Sequence, residues 1–164
     1  MSTKTFDSVP YERLLMKVQH YGIRGRVWTL IREFLSERTE QVLLQGFKSQ
    51  PVEVLLRVPQ GSVLGPLLFL LCVSDLPEYV TSTARLFADD CLLYKEVSCS
   101  QDQLRLQQDL DNLTKWQNRW QLRFNPGKCY MMTITHSKTP VIGDCYLNNE
   151  KLQIVSETPL LLRG

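Results

Sequence analysis

The sequence predicts an α+β fold, and three observations carry that prediction. Apolar residues recur at helical spacing in three stretches, and a fourth stretch is apolar all round. Short runs rich in β-formers lie between and after them, bounded by turn residues. Consecutive runs of this kind are close enough in sequence to pair antiparallel. Helices that alternate with antiparallel strands argue for α+β over a doubly wound parallel sheet.

The elements follow in order. Pro10 suits a first helical position, and Leu14, Leu15, Val18 and Tyr21 make one face of a helix that Gly22 stops. Val27, Trp28, Leu30, Ile31, Phe34 and Leu35 mark a second helix. Residues 41–45 and 52–58 read as two strands joined through Gly46-Phe47-Lys48-Ser49. Leu64 to Val73 is expected to be a buried helix because it has no polar face. Leu86-Phe87-Ala88 and Cys91-Leu92-Leu93-Tyr94 flank Asp89-Asp90 and read as two strands meeting at a tight turn. A long helix from Ser100 to Trp120 buries Leu106, Leu110, Leu113, Trp116 and Trp120, with Ser100 and Gln103 spaced as a capping box. Asn125-Pro126-Gly127 is a turn, residues 128–135 a strand, and Asn148-Asn149 the centre of a hairpin.

Bulk properties bound the possibilities. A chain of 164 residues suffices for one domain with a real core. Its longest apolar stretch, 63–73, is broken by Gly65 and Pro66 and is too short to span a bilayer, so no membrane association is expected. No signal peptide is visible at the N-terminus. The five cysteines are an odd number without Cys-x-x-Cys spacing, which argues against a disulfide framework and a zinc site and for a reduced, intracellular setting. His20 and His136 are far apart and show no ligand spacing.

Net charge is only +2, but its distribution is uneven. No Asp or Glu falls between Asp111 and Asp144, whereas Lys115, Arg119, Arg123, Lys128 and Lys138 do, with Trp116, Trp120 and Phe124 interleaved. Cations spaced by aromatics can follow a phosphate backbone and stack on bases. The same pattern also reads as core tryptophans at helical spacing beside a solvated basic face.

Two motifs carry the chemistry. Adjacent carboxylates at Asp89-Asp90 repel one another and favour a bound divalent cation. Upstream, Val58-Pro59-Gln60-Gly61-Ser62-Val63-Leu64-Gly65-Pro66 places Gln60 and Gly61 where a strand hands over to a helix. A glycine there lets backbone approach a ligand closely, and the Gln amide can donate to a phosphate or base. Together the two segments resemble the reverse transcriptases of non-LTR (LINE-type) retrotransposons. Phe87-Ala88-Asp89-Asp90 resembles motif C of that family and the Pro-Gln-Gly box resembles motif B. The resemblance runs from Phe6-Asp7-Ser8-Val9-Pro10 to at least Lys128-Cys129.

The resemblance implies a polymerase palm, a split βαβ or ferredoxin-like arrangement, with partial fingers and thumb-side elements. It implies one reverse transcriptase domain over residues 1–164, cut at both ends. It further implies RNA-directed DNA synthesis on an RNA template with a DNA primer and dNTPs, and magnesium or manganese as cofactor. Asp89 becomes a metal ligand and Asp90 an auxiliary one. Gln60 and Gly61 line the nucleotide pocket. Phe6 excludes the ribose 2′-hydroxyl by bulk, and Lys128 is the candidate acid for departing pyrophosphate. Arg119 and Arg123 are the candidate nucleic-acid contacts. Nothing in the pattern fixes an oligomeric state.

The departures from the family pattern are as informative. The metal-binding Asp of motif A stands six residues before the Asp of its Phe-Asp pair, and counting back from Asp7 reaches Met1. Arg57 stands where motif B usually has Gly. The resemblance therefore implies that these 164 residues alone do not catalyse. A relic or co-opted module that binds RNA or protein is the alternative, and a different metal-dependent phosphotransferase using Asp89-Asp90 a third.

Overall fold

A computed structural model describes residues 10–36, 39–53, 62–88, 90–138, 141 and 143–155. Over these the chain is a mixed α+β structure with four α-helices and small two-stranded sheets. It divides into two compact units, one within Thr3–Asp75 together with Trp120–Leu122, the other within Leu76–Arg119 and Arg123–Gly164.

In the first unit, helix α1 (Tyr11–His20) packs on α2 (Gly25–Leu35) and on α3 (Leu64–Val73). Pro10 caps α1 from outside rather than opening it. Gly22, at φ +81°, ends it as expected: the Gly22 N–H donates to the Gln19 carbonyl and the Ile23 N–H to the Val18 carbonyl. Leu14, Leu15 and Val18 are buried, but Tyr21 lies past the last turn, exposed, its hydroxyl 2.6 Å from Ser74 Oγ. Only Ile31 and Leu35 of the α2 stripe are buried, while Val27 and Leu30 face outward. Helix α3 is likewise not buried all round: Leu68, Phe69, Cys72 and Val73 are inside and Leu67 and Leu70 outside.

The segment expected as two strands is a hairpin of four short pieces. Strands β1 (Thr39–Glu40) and β4 (Val52–Glu53) pair antiparallel, as do β2 (Leu43–Leu44) and β3 (Phe47–Lys48). Gln45 and Gly46 both have positive φ, so the reversal sits there, one step earlier than the Gly46–Ser49 turn expected. The remainder of the second expected strand, 54–58, lies outside the described residues, as do Arg57 and Phe6.

In the second unit, β5 (Thr83–Phe87) and β6 (Asp90–Tyr94) form the expected hairpin. Helix α4 runs from Ser100 to Trp120, as its stripe predicts, with Leu110, Leu113 and Trp116 buried. The capping box does not form: the Gln103 amide instead donates to Cys145 Sγ at 3.3 Å. Strand β7 (Tyr130–Met132) is shorter than the expected 128–135 and pairs in parallel with β10 (Gln153–Val155). Between them, β8 (Tyr146–Leu147) and β9 (Glu150–Lys151) close on Asn148-Asn149, both at positive φ, which is the primed turn that Asn-rich pairs favour.

Candidate active site

The β5–β6 register pairs Phe87 with Asp90, and Ala88 is the described residue of the short connection between the strands. Ala88 has φ +49°, a conformation that costs a non-glycine residue energy and marks a constrained tip. Alternation then sorts the side chains. Ala84, Leu86, Cys91 and Leu93 are half-buried on one face. Thr83, Arg85, Phe87, Leu92 and Tyr94 are exposed, and the register puts Asp90 opposite Phe87 at the tip. Phe87 is 82% exposed, so its ring gives no apolar cover on that face of the tip. Asp90 is half-buried; Asp89, Gln60 and Gly61 lie outside the described residues.

Lys128 ends a 3-10 turn (Pro126–Lys128) whose geometry follows from Asn125. The Asn125 side-chain oxygen accepts from the Gly127 N–H at 3.1 Å, and its carbonyl accepts from the Lys128 N–H at 3.0 Å. The Lys128 side chain is exposed. One link ties this turn to the acidic hairpin. Burial pushes the Cys91 thiol, next to Asp90, up to about 11, and the neighbouring Cys129, next to Lys128, pushes it the same way. The residues flanking Asp90 and Lys128 are thus within electrostatic reach of each other. Burial also raises Cys72, to about 11, and Cys129 and Cys145, so none of these thiols is an activated nucleophile.

The basic stretch divides in two. Trp116 is 2% exposed and its ring lies 6.2 Å from that of Phe124, which makes it core rather than a stacking platform. Arg119 and Arg123 are exposed, with Arg119 donating to the Tyr79 hydroxyl at 3.0 Å. Among the described residues Lys115 reaches the Asn112 side-chain oxygen, at 3.3 Å.

Three polar groups that sequence reasoning passed over hold these elements. Asp109, 1% exposed on the α4 stripe, accepts from the backbone N–H groups of Thr81 and Ser82, each at 2.8 Å, and from the Thr81 hydroxyl. Burial pushes its carboxyl up, but the Ser82 and Thr81 groups around it pull harder, and its pKa is lowered. It fixes the two residues that feed β5. Gln107 both donates to and accepts from the Tyr146 backbone, at 2.9 and 2.8 Å, in the manner of a strand partner. In the other unit, Lys17 is 2% exposed and donates to Asp75 Oδ1 at 2.5 Å and to the Cys72 carbonyl, with the Trp120 ring 4.1 Å away. Each sits on an apolar stripe, which is the one signal that could have singled it out.

Among the described residues no group of three or more His, Cys, Asp and Glu could hold a metal, and no helix is long and apolar enough to cross a membrane. Residues 2–158 match the family "Reverse transcriptase (RNA-dependent DNA polymerase)", and the chain belongs to it. It is 32% identical over 142 residues to the RNA-directed DNA polymerase from mobile element jockey of Drosophila melanogaster. It is 34% identical over 140 residues to the probable RNA-directed DNA polymerase from transposon BS of the same species. It is 32% identical over 132 residues to that from transposon X-element. These matches take in 81%, 76% and 76% of the chain but only 15%, 15% and 14% of the relatives. All three are non-LTR retrotransposon proteins.

Proposed function

We propose that residues 1–164 form one reverse transcriptase domain, built on the palm of a non-LTR RNA-directed DNA polymerase. The observation that carries this reading is the family match over residues 2–158, supported by the Phe87–Asp90 closing pair that puts Asp90 at the tip of the β5–β6 hairpin. The substrates are dNTPs with a DNA primer on an RNA template.

The donor set fits magnesium or manganese, because carboxylate oxygens are the ligands these hard cations prefer. Asp89 would hold the metal directly and Asp90 would assist. When bound, the ion activates the primer hydroxyl and offsets charge on the leaving pyrophosphate. The remaining roles belong to side chains. Gln60 donates to the incoming nucleotide and Gly61 keeps the backbone close to it. Phe6 fills the space of a 2′-hydroxyl. Lys128, solvated at the end of its turn, delivers a proton to the departing pyrophosphate. Arg119 and Arg123 contact the phosphate backbone. A second reading, a non-catalytic module that binds RNA or protein, is favoured by Arg57 in the motif B position usually held by Gly.

Manganese-induced paramagnetic broadening tests the site. The expected result is selective broadening at Asp90 and Cys91 that disappears in the Asp89→Asn, Asp90→Asn double variant. Equal broadening in that variant would reduce the pair to an ordinary turn.

A further inference from the structure

The hairpin has a second functional end. At its base, opposite the acidic tip and ~16 Å from it by strand rise, lies a groove of about 380 Å³. Its walls are Thr81 and Lys95, just outside the two strands, and Arg105, Gln108, Asp109 and Asn112 of α4. The four helical residues are spaced i, i+3, i+4 and i+7, so one face of α4 forms the wall.

The donor inventory of this groove is one-sided. The Asp109 carboxylate already accepts from Thr81 and Ser82. Asn112 has its oxygen taken by Lys115 and keeps its N–H groups. The Lys95 ammonium and the Gln108 amide make no hydrogen bond or close ion pair with the described residues, and the Lys95 charge acts on Asp102 only at longer range. Arg105 has one contact with Asp102, at 3.5 Å, and is otherwise solvated. Asp102 is itself turned to the Ser98 N–H and the Cys99 thiol. Two cations and two neutral amides therefore face a space whose own carboxylate is saturated from within. A metal cation finds only one neutral acceptor there, the Gln108 amide oxygen, beside two cations. A tetrahedral oxyanion finds a guanidinium fork, an ammonium and two amides.

We infer that this groove binds a phosphate group, held by Lys95, Arg105, Gln108 and Asn112. The site is separate from the acidic tip and uses none of the residues assigned to nucleotidyl transfer. The phosphate can be a diester in a nucleic-acid strand or a monoester on a small molecule, because the donors recognise the oxyanion alone.

Two-dimensional NMR of the full chain, titrated with inorganic phosphate at constant ionic strength, tests this. Saturable shifts are expected at the side-chain amides of Gln108 and Asn112. The Lys95→Ser, Arg105→Ser double variant should weaken binding about tenfold or more with its other resonances in place, since neither side chain is buried. If a short RNA oligonucleotide displaces phosphate, the natural ligand is a strand backbone. If AMP displaces it and the oligonucleotide does not, the ligand is a small monoester. No saturable shift with any of the three, or undiminished affinity in the double variant, overturns the inference.

Discussion

Replacing Lys17 with Met removes one charge from a site that has little access to water. Lys17 is 2% exposed and the side chain of Asp75 17%. The wild-type ammonium donates to a carboxylate and to the Cys72 carbonyl and lies over the Trp120 ring. Removing one partner of a buried pair costs about 3–5 kcal/mol, chiefly because the other charge is left behind. Asp75 keeps some solvent, which lowers the cost, and Met fills most of the volume of the lysine stem, so no large cavity adds to it. The expected destabilisation is about 2–3 kcal/mol, read as a lower urea midpoint with unchanged slope. Lys17→Met combined with Asp75→Asn should recover part of it, since the carboxylate charge that Lys17 offset is gone. An exposed control, Lys115→Met, should stay within about 0.5 kcal/mol. A loss below about 1 kcal/mol in Lys17→Met, or a double variant no better than the single, would show that the pair is hydrated and does not hold α1 to α3.

Two further outcomes follow from the same structure. The Asp109 carboxyl is lowered in the folded state, so its stabilisation is full above the ordinary carboxylate range and is lost as pH falls through the folded value. Acid titration of unfolding should show this loss, and Asp109→Ala should remove it along with about 1.5–3 kcal/mol at neutral pH. For nucleic acid, replacing Arg119, Arg123 and Lys128 with Ser should reduce the log–log salt slope of single-stranded RNA binding by about 2, at about 0.7–0.9 per phosphate contact. An unchanged slope would mark these cations as a solvated face.

The parts of the fold legible in the sequence are those fixed locally. Helix α4 is readable because its apolar stripe runs over about four turns, and the two hairpin reversals because Asn148-Asn149 and the acidic pair are turn residues. Residues 128–135 read as a strand, yet among the described residues 130–132 are the ones that pair, with Gln153–Val155, and propensity without a partner does not make a ladder. The stripes of α2 and α3 overstate burial for a related reason: the sequence shows which residues are apolar, not how much of each face a neighbour covers. Lys17 shows the same limit for polar groups. Its place on the stripe beside Leu14 and Val18 is visible, but its partner Asp75 is 58 residues away. The candidate site was legible as a motif at Asp89-Asp90. Its solvent-facing side was not, since the exposure of Phe87 depends on what lies across the hairpin.

The buried polar groups share a logic that bears on the acidic tip. A two-stranded hairpin is marginal by itself, and its register is set by whatever grips its ends. Here Phe87 leaves its side of the tip open to solvent, and a grip is visible at the base. Asp109 supplies it with two backbone N–H bonds and a hydroxyl, all made to residues that enter β5. A leucine at that point of the stripe would bury as well but would leave the Thr81 and Ser82 N–H groups without an acceptor, and it would tolerate a slip of one residue. Such a slip would turn Asp90 from the Phe87 face to the face of Leu86 and Leu93. The buried carboxylate opposes such a slip from the β5 side, because the two N–H groups it accepts from lead directly into that strand. The charge at the base of the hairpin thereby helps set the strand against which Asp90 pairs.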